Sequence, residues 1–178
     1  MVRSATLLAS VLSLLALAGC SGPSSPAAET GHYLSLANRF EMQAPPGWTI
    51  RESGGTAAVL MTAPGAGEAV RPNLNVIVED RYAGLTLEEA AERCKAQMAA
   101  LRGFELLAPQ QSITLADGLR AIVIAFRQAA TGTPLAQRQM VVVGGGRAYV
   151  VTATASPETF DAEEKNFDAC FRSFRAGL

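Results

Sequence analysis

The chain has 178 residues, with Lys+Arg 15 against Asp+Glu 16 and a hydrophobic fraction of 49%. That near-neutral balance contains no basic block, which excludes nucleic-acid binding through clustered phosphate contacts. The length allows one domain with a real core, and the one histidine, His32, gives little material for a histidine-based nucleophile or a metal centre.

The N-terminus carries Arg3 and then an apolar run from Ala5 to Ala18. The run is short for a membrane span and has the layout of a signal peptide. It closes on Leu17-Ala18-Gly19-Cys20, which resembles the lipobox of bacterial lipoproteins. The resemblance implies lipid on the Cys20 sulfur, cleavage before Cys20 and a mature chain that starts there. Small residues at Ala18 and Gly19 also suit an ordinary secretory signal, with Cys20 incidental. The Ser- and Pro-rich stretch after Cys20 favours the anchor. The expected organisation is a signal peptide over 1–19, the lipidated Cys20 and a flexible tether over 20–32, and a single domain over 33–178. Cleavage removes only one charged residue, Arg3, so the remainder is one unit more negative. Position 21 is Ser rather than the Asp that resembles an inner-membrane retention signal. The expected location is therefore the periplasmic face of an outer membrane in a two-membrane cell, and otherwise the outer face of the plasma membrane.

Within the domain, Leu34, Leu36, Phe40 and Met42 predict two short strands broken at Ala37-Asn38. Pro45-Pro46-Gly47 turns the chain, and Trp48-Thr49-Ile50 resumes a strand with Trp48 as a core plug. A strand over 57–62 leads into a Pro- and Gly-punctuated loop over 63–72. The next strand covers 73–80, with Leu74, Val76 and Val78 on one face and Ile77 on the other.

Thr86 and Glu89 form a capping box for a helix whose apolar stripe is Leu87, Ala90, Ala91, Cys94, Met98 and Leu101, with Gly103 at its C-terminal cap. A strand over 112–115 turns at Asp117-Gly118 into a strand over 119–127. Strands over 135–143 and 147–155 follow, separated by Gly144-Gly145-Gly146. Short turns between long strands make an antiparallel meander. The strand centres are apolar on both faces, so both faces should be covered, or one covered and the other holding a pocket. Ser156-Pro157-Glu158 predicts the start of a last helix, with Phe160, Phe167, Cys170, Phe171 and Phe174 buried.

Cys94 and Cys170 each lie on the apolar face of a predicted helix. In an oxidising compartment the expectation is a Cys94–Cys170 disulfide, the alternative being two buried free thiols.

The segments NRFEMQAPPGW, PNLNVIVED, DGLRAIVIAFRQ, RAYVVTATAS and FDAEEKNFDACFRSF, in that order, resemble the PsbP-like fold, and most of all the bacterial DcrB and LpqN lipoproteins. The resemblance spans roughly 33–175. It implies an α+β domain, a central antiparallel sheet flanked by helices in an α/β/α sandwich. It also implies a non-enzymatic accessory or binding protein with no cofactor, and it supplies no catalytic residue.

Catalytic patterns are weak. His32 sits at the tether's end, and no Gly-x-Ser-x-Gly occurs. The adjacent pairs Glu79-Asp80, Glu88-Glu89 and Glu163-Glu164 read as solvated faces. Gly144-Gly145-Gly146 lacks the Lys and following helix of a phosphate loop. The expected function is a membrane-anchored envelope module that binds an envelope protein or cell-wall partner, with the 63–72 loop and Arg71 as the candidate contact. The alternative is a carrier of a small apolar ligand or lipid in a pocket of a few hundred Å³ between sheet and helix.

Overall fold

The computed structural model describes residues 31–53, 55–65 and 70–178. Strand β1 (His32–Ser35) and strand β2 (Phe40–Gln43) form a hairpin over a turn at 36–39. In that turn Arg39 takes a left-handed φ of 56°. The Pro45-Pro46-Gly47 turn leads to β3 (Thr49–Glu52), then β4 (Ala57–Thr62) and β5 (Asn73–Val78). Strand β5 stops at Val78 rather than Asp80. Glu79 caps a short 3-10 turn over Asp80–Tyr82, its carboxylate accepting from the Arg81 backbone N–H at 3.4 Å.

Helix α1 (Leu87–Ala99) starts at the expected capping box, in which Thr86 and Glu89 bond each other's backbone N–H. It ends at Ala99 with Ala100 as cap, so Gly103, expected as the cap, lies three residues beyond it and turns the chain there at φ 71°. Short strands β6 (Glu105–Leu106) and β7 (Gln111–Thr114) precede β8 (Arg120–Gln128), β9 (Leu135–Gly144) and β10 (Arg147–Ala155). Helix α2 (Phe160–Ser173) and β11 (Arg175–Ala176) follow. Residues 156–159 form a turn ahead of α2, so Pro157 lies before the helix and not at its first position.

The strands make two antiparallel sheets. The large one has order β3-β4-β5-β10-β9-β8-β6, with β7 also paired to β8; the small one has order β1-β2-β11. Because alternate residues face opposite ways, β8 sends Ile122, Ile124 and Phe126 to one layer and Ala121 and Val123 to the other. Helix α1 closes the first layer with Ala90, Ala91, Cys94 and Met98. Helix α2 and the small sheet close the second with Phe160, Phe167, Phe171 and Phe174 against Phe40, Met42, Tyr149 and Val151. The result is the expected α+β arrangement, a central antiparallel sheet between helices.

Two contacts tie the small sheet to the large one. Phe174 stacks on Phe40 at 5.4 Å and meets Tyr149 edge-on at 5.3 Å. The Tyr149 hydroxyl donates to the carbonyls of the 36–39 turn at 3.0 and 3.1 Å. Trp48 is buried edge-on against Phe167, as a core residue.

Candidate functional site

Helix α1 runs over β8 and β9. On its side of the sheet the apolar layer therefore ends partway across. Beyond it the register aligns two polar rungs. Gln139 opposes Thr152, which opposes Asn75, then Leu60 and Arg51; Gln137 opposes Thr154, which opposes Asn73, then Thr62 and Thr49. The rungs bond internally: Gln139 Nε2 donates to Thr152 Oγ1 at 3.1 Å, and Gln137 Nε2 to Thr154 Oγ1 at 2.9 Å. Among the described residues, Asn75 Oδ1 has no hydrogen-bond partner although it is buried. The strand centres are thus not apolar on both faces along their whole length, as the sequence suggested. Part of one face is a field of amides and hydroxyls with one cation, Arg51; its Gln139, Thr152 and Thr154 are buried, and its Thr49 and Arg51 end is exposed.

The loop expected to make contact adjoins this field. Arg71 is exposed, and its carbonyl accepts from Asn73 Nδ2 at 2.9 Å, which fastens the loop's exit to the lower rung. Residues 66–69 of that loop lie outside the described residues.

On the other side of the sheet a cleft of about 260 Å³ opens between the 107–111 segment, β8, β9 and the first turns of α2. Its floor is Val123, Ala125, Ala136 and Arg138. Arg138 faces inward because its strand neighbours Ala125 and Ala153 leave room for a long side chain. Its guanidinium lies over Phe171 at 5.8 Å and reaches Glu164 at 3.5 Å and Asp168 at 3.7 Å. A second cleft, of about 400 Å³, lies between β1 and the β3–β4 hairpin, lined by Tyr33, Ser35, Asn38, Glu52 and Thr56. Burial first, then the charge of Glu52, holds the Tyr33 phenol above its usual range. Both clefts have charged or hydroxylic walls. Arg138 was missed in the sequence reading. Its signal was present: a charged residue at an inward position of β9, in phase with Met140 and Val142.

The two cysteines do not meet. Cys94 belongs to the α1 layer and Cys170 to the α2 layer, and both are free and buried. The expected disulfide is corrected accordingly. A whole sheet separates the thiols, and a bridge requires Cα atoms within about 7 Å. Burial pushes the Cys94 thiol up to about 11 and Cys170 up to about 12. Neither is a nucleophile near neutral pH. Beside Cys94, the Tyr82 hydroxyl is buried with no hydrogen-bond partner among the described residues, and burial raises its pKa.

His32 is not on a tether but opens β1, where its Nε2 lies 3.2 Å from Glu41. Cys20 lies outside the described residues. Among those described, no three His, Cys, Asp or Glu side chains gather as a metal site, and no helix is long and apolar enough to cross a membrane.

No curated protein matches the chain. Solved structures do match its fold. The cyanobacterial PsbP (CyanoP) of Synechocystis sp. PCC 6803 is 17% identical with a TM-score of 0.61, covering 90% of this chain and 98% of that one. LpqN, involved in cell envelope biogenesis of Mycobacterium tuberculosis, is 14% identical with a TM-score of 0.58, covering 84% of each chain. The Ran-binding protein Mog1p of Saccharomyces cerevisiae is 10% identical with a TM-score of 0.56, covering 83% of this chain and 95% of that one. At these identities the likeness is one of fold. The model of the DcrB family matches residues 52–173, from the end of β3 to the end of α2, and the chain belongs to that family.

Proposed function

We propose that this protein is a lipid-anchored module of the bacterial cell envelope that binds a partner and does no chemistry. The observation that carries the reading is Cys20 itself, the last residue of Leu-Ala-Gly-Cys after an apolar run, set just ahead of the first strand of a DcrB-family domain. LpqN, which shares the fold, is named for envelope biogenesis, and this supports the same compartment. The recognition surface is the open edge of the polar field, Thr49, Arg51 and Asn73, together with the adjoining Arg71 loop. An array of amides and hydroxyls matches a polar protein or cell-wall surface and disfavours an apolar one.

The carrier reading called for an apolar cavity. The two clefts are of suitable volume but have polar walls, with Arg138 and Glu164 in one and Glu52 in the other. They favour a polar partner over a lipid cargo.

The anchor is tested by Cys20→Ala, which is expected to move the protein from the membrane to the soluble fraction; retention in the membrane overturns it. The binding role is tested by crosslinking in intact cells. A reproducible envelope partner is expected for the wild type, and its yield should fall at least about tenfold for Asn73→Lys, which places an unpaired charge in the field. Equal yields would move the contact elsewhere.

A further inference from the structure

The small sheet has an outer face that nothing in the large sheet or the helices covers. Tyr33, Ser35, Phe40 and Met42 point inward and are buried. The alternate positions point out. Leu34 opposes Glu41, which opposes Arg175. Leu36 lies in the adjoining turn, and Leu178 sits beside it, because Arg39 Nε donates to the Leu178 carbonyl at 3.1 Å. Leu34, Leu36 and Leu178 are 46%, 76% and 48% exposed, and they are three of the five large hydrophobic side chains exposed among the described residues. The other two, Leu106 and Leu107, lie on or beside β6 at the far edge of the large sheet.

Arg39, Arg147 and Arg175 surround the leucines. Arg147 is bonded to the Ala37 carbonyl at 3.2 Å. The carboxylates nearby are Glu41, paired with Arg175 at 3.3 Å and close to His32, and Asp117, which accepts from the Ala176 N–H. With the α-carboxylate of Leu178 counted beside Glu41 and Asp117, the charges of the face balance, and its arginines stand among its leucines. Apolar side chains ringed by arginines are the chemistry of a surface that meets anionic lipid headgroups.

We propose that this outer face of β1, β2 and β11 docks on the surface of the bilayer that carries the anchor, with Leu34, Leu36 and Leu178 entering the headgroup layer and Arg39, Arg147 and Arg175 meeting lipid phosphates. The inference rests on the anchored reading above. It adds an orientation. The stretch 21–31 ends directly at β1, and even fully extended it spans only about 40 Å. The stretch joins the domain at β1, so this face lies at the root of the tether and within its reach of the membrane. Tethering supplies a high effective concentration, so a few leucines and arginines dock more firmly than they would in free solution. Docking in this sense leaves the polar field, on the opposite side of the large sheet from the small sheet, directed away from the bilayer.

The test uses the full acylated chain in phosphatidylglycerol-containing vesicles whose acyl chains are brominated. Leu36→Trp is compared with Leu107→Trp; both sites are exposed, and Trp48 is a buried constant background. Quenching at position 36 is expected to exceed that at 107 by at least about twofold, and to fall in neutral phosphatidylcholine or at high salt. Equal quenching at the two positions overturns the proposal. So does a change in Leu36→Trp emission with protein concentration in the absence of lipid, which would show a second copy on the face. Both Trp variants are repeated in the Cys20→Ala chain with excess vesicles. The same contrast at lower affinity is expected there, so failure of the anchor and failure of the docking face are read separately.

Discussion

Cys94 and Cys170 show how far a residue's periodicity can mislead. Helical spacing identified both as inward, and both are buried. Spacing says nothing about which side of a sheet a helix will cover, so the two thiols were expected to meet and do not. Thiol counting on the denatured, unreduced Cys20→Ala chain is expected to find both free, with neither reacting in the native state. The thiols also set an alkaline limit. Their pKa values are raised from 9.0 to about 11 and about 12 by burial. Above the ordinary thiol value the unfolded chain loses these protons first, so it binds fewer than the native chain, and stability falls as pH rises. Unfolding free energy is expected to be insensitive to these thiols below about pH 9 and to decline from there towards pH 12. Arg138 is the other informative residue. Its side chain is 8% exposed, whereas its partner Glu164 is 62% exposed. Most of its contribution is then the packing of its stem and the Phe171 face, not the ion pair. Arg138→Ala is expected to cost about 2–3 kcal/mol in urea unfolding, and Arg138→Met clearly less, since it refills the space.

At the scale of elements, turns and caps carried most of the readable information. The capping box at Thr86 and Glu89, the Asp117-Gly118 turn and the Gly144–Gly146 hairpin all form where expected, because each depends on a few adjacent residues. Boundaries slipped where a neighbouring group competed. Glu79 draws the chain into a 3-10 turn and ends β5 early, and the Ser156 carbonyl accepts from Thr159 N–H at 3.2 Å in a turn ahead of α2. The hairpin glycines are not equivalent. A Cβ on Gly145, at φ 59°, would stand 2.5 Å from the Gly177 Cα, whereas one on Gly146, at φ 77°, meets nothing within 4 Å. Gly145→Ala is expected to destabilise by about 2–4 kcal/mol, because backbone must move, and Gly146→Ala by about 1 kcal/mol from φ alone. Equal losses would mean that the β11 approach is not needed for stability.

For the whole molecule, the small sheet acts as a clasp between the first and last strands. Its hold is the Phe40–Phe174–Tyr149 cluster and the Tyr149 hydroxyl bonds to the 36–39 turn. Phe174→Ala is expected to cost about 3–5 kcal/mol and to expose β1 and β11 to hydrogen exchange before the meander opens. Protection lost uniformly would show instead that the two sheets unfold as one. The antiparallel meander and the helical stripes were within reach of sequence reasoning, since alternation and 3.6-residue periodicity are local properties of the chain. So was the Leu17-Ala18-Gly19-Cys20 pattern on which the proposed anchor rests, because it is contiguous. What only the tertiary structure decided was which buried faces share a layer: Cys94 with Phe126, Cys170 with Phe40, and Arg138 in a cleft beneath α2. The polar field was hidden for the same reason. Gln137, Gln139, Thr152, Thr154, Asn73 and Asn75 come from three strands, and their adjacency exists only once β5, β10 and β9 pair in register beside the strands that α1 covers.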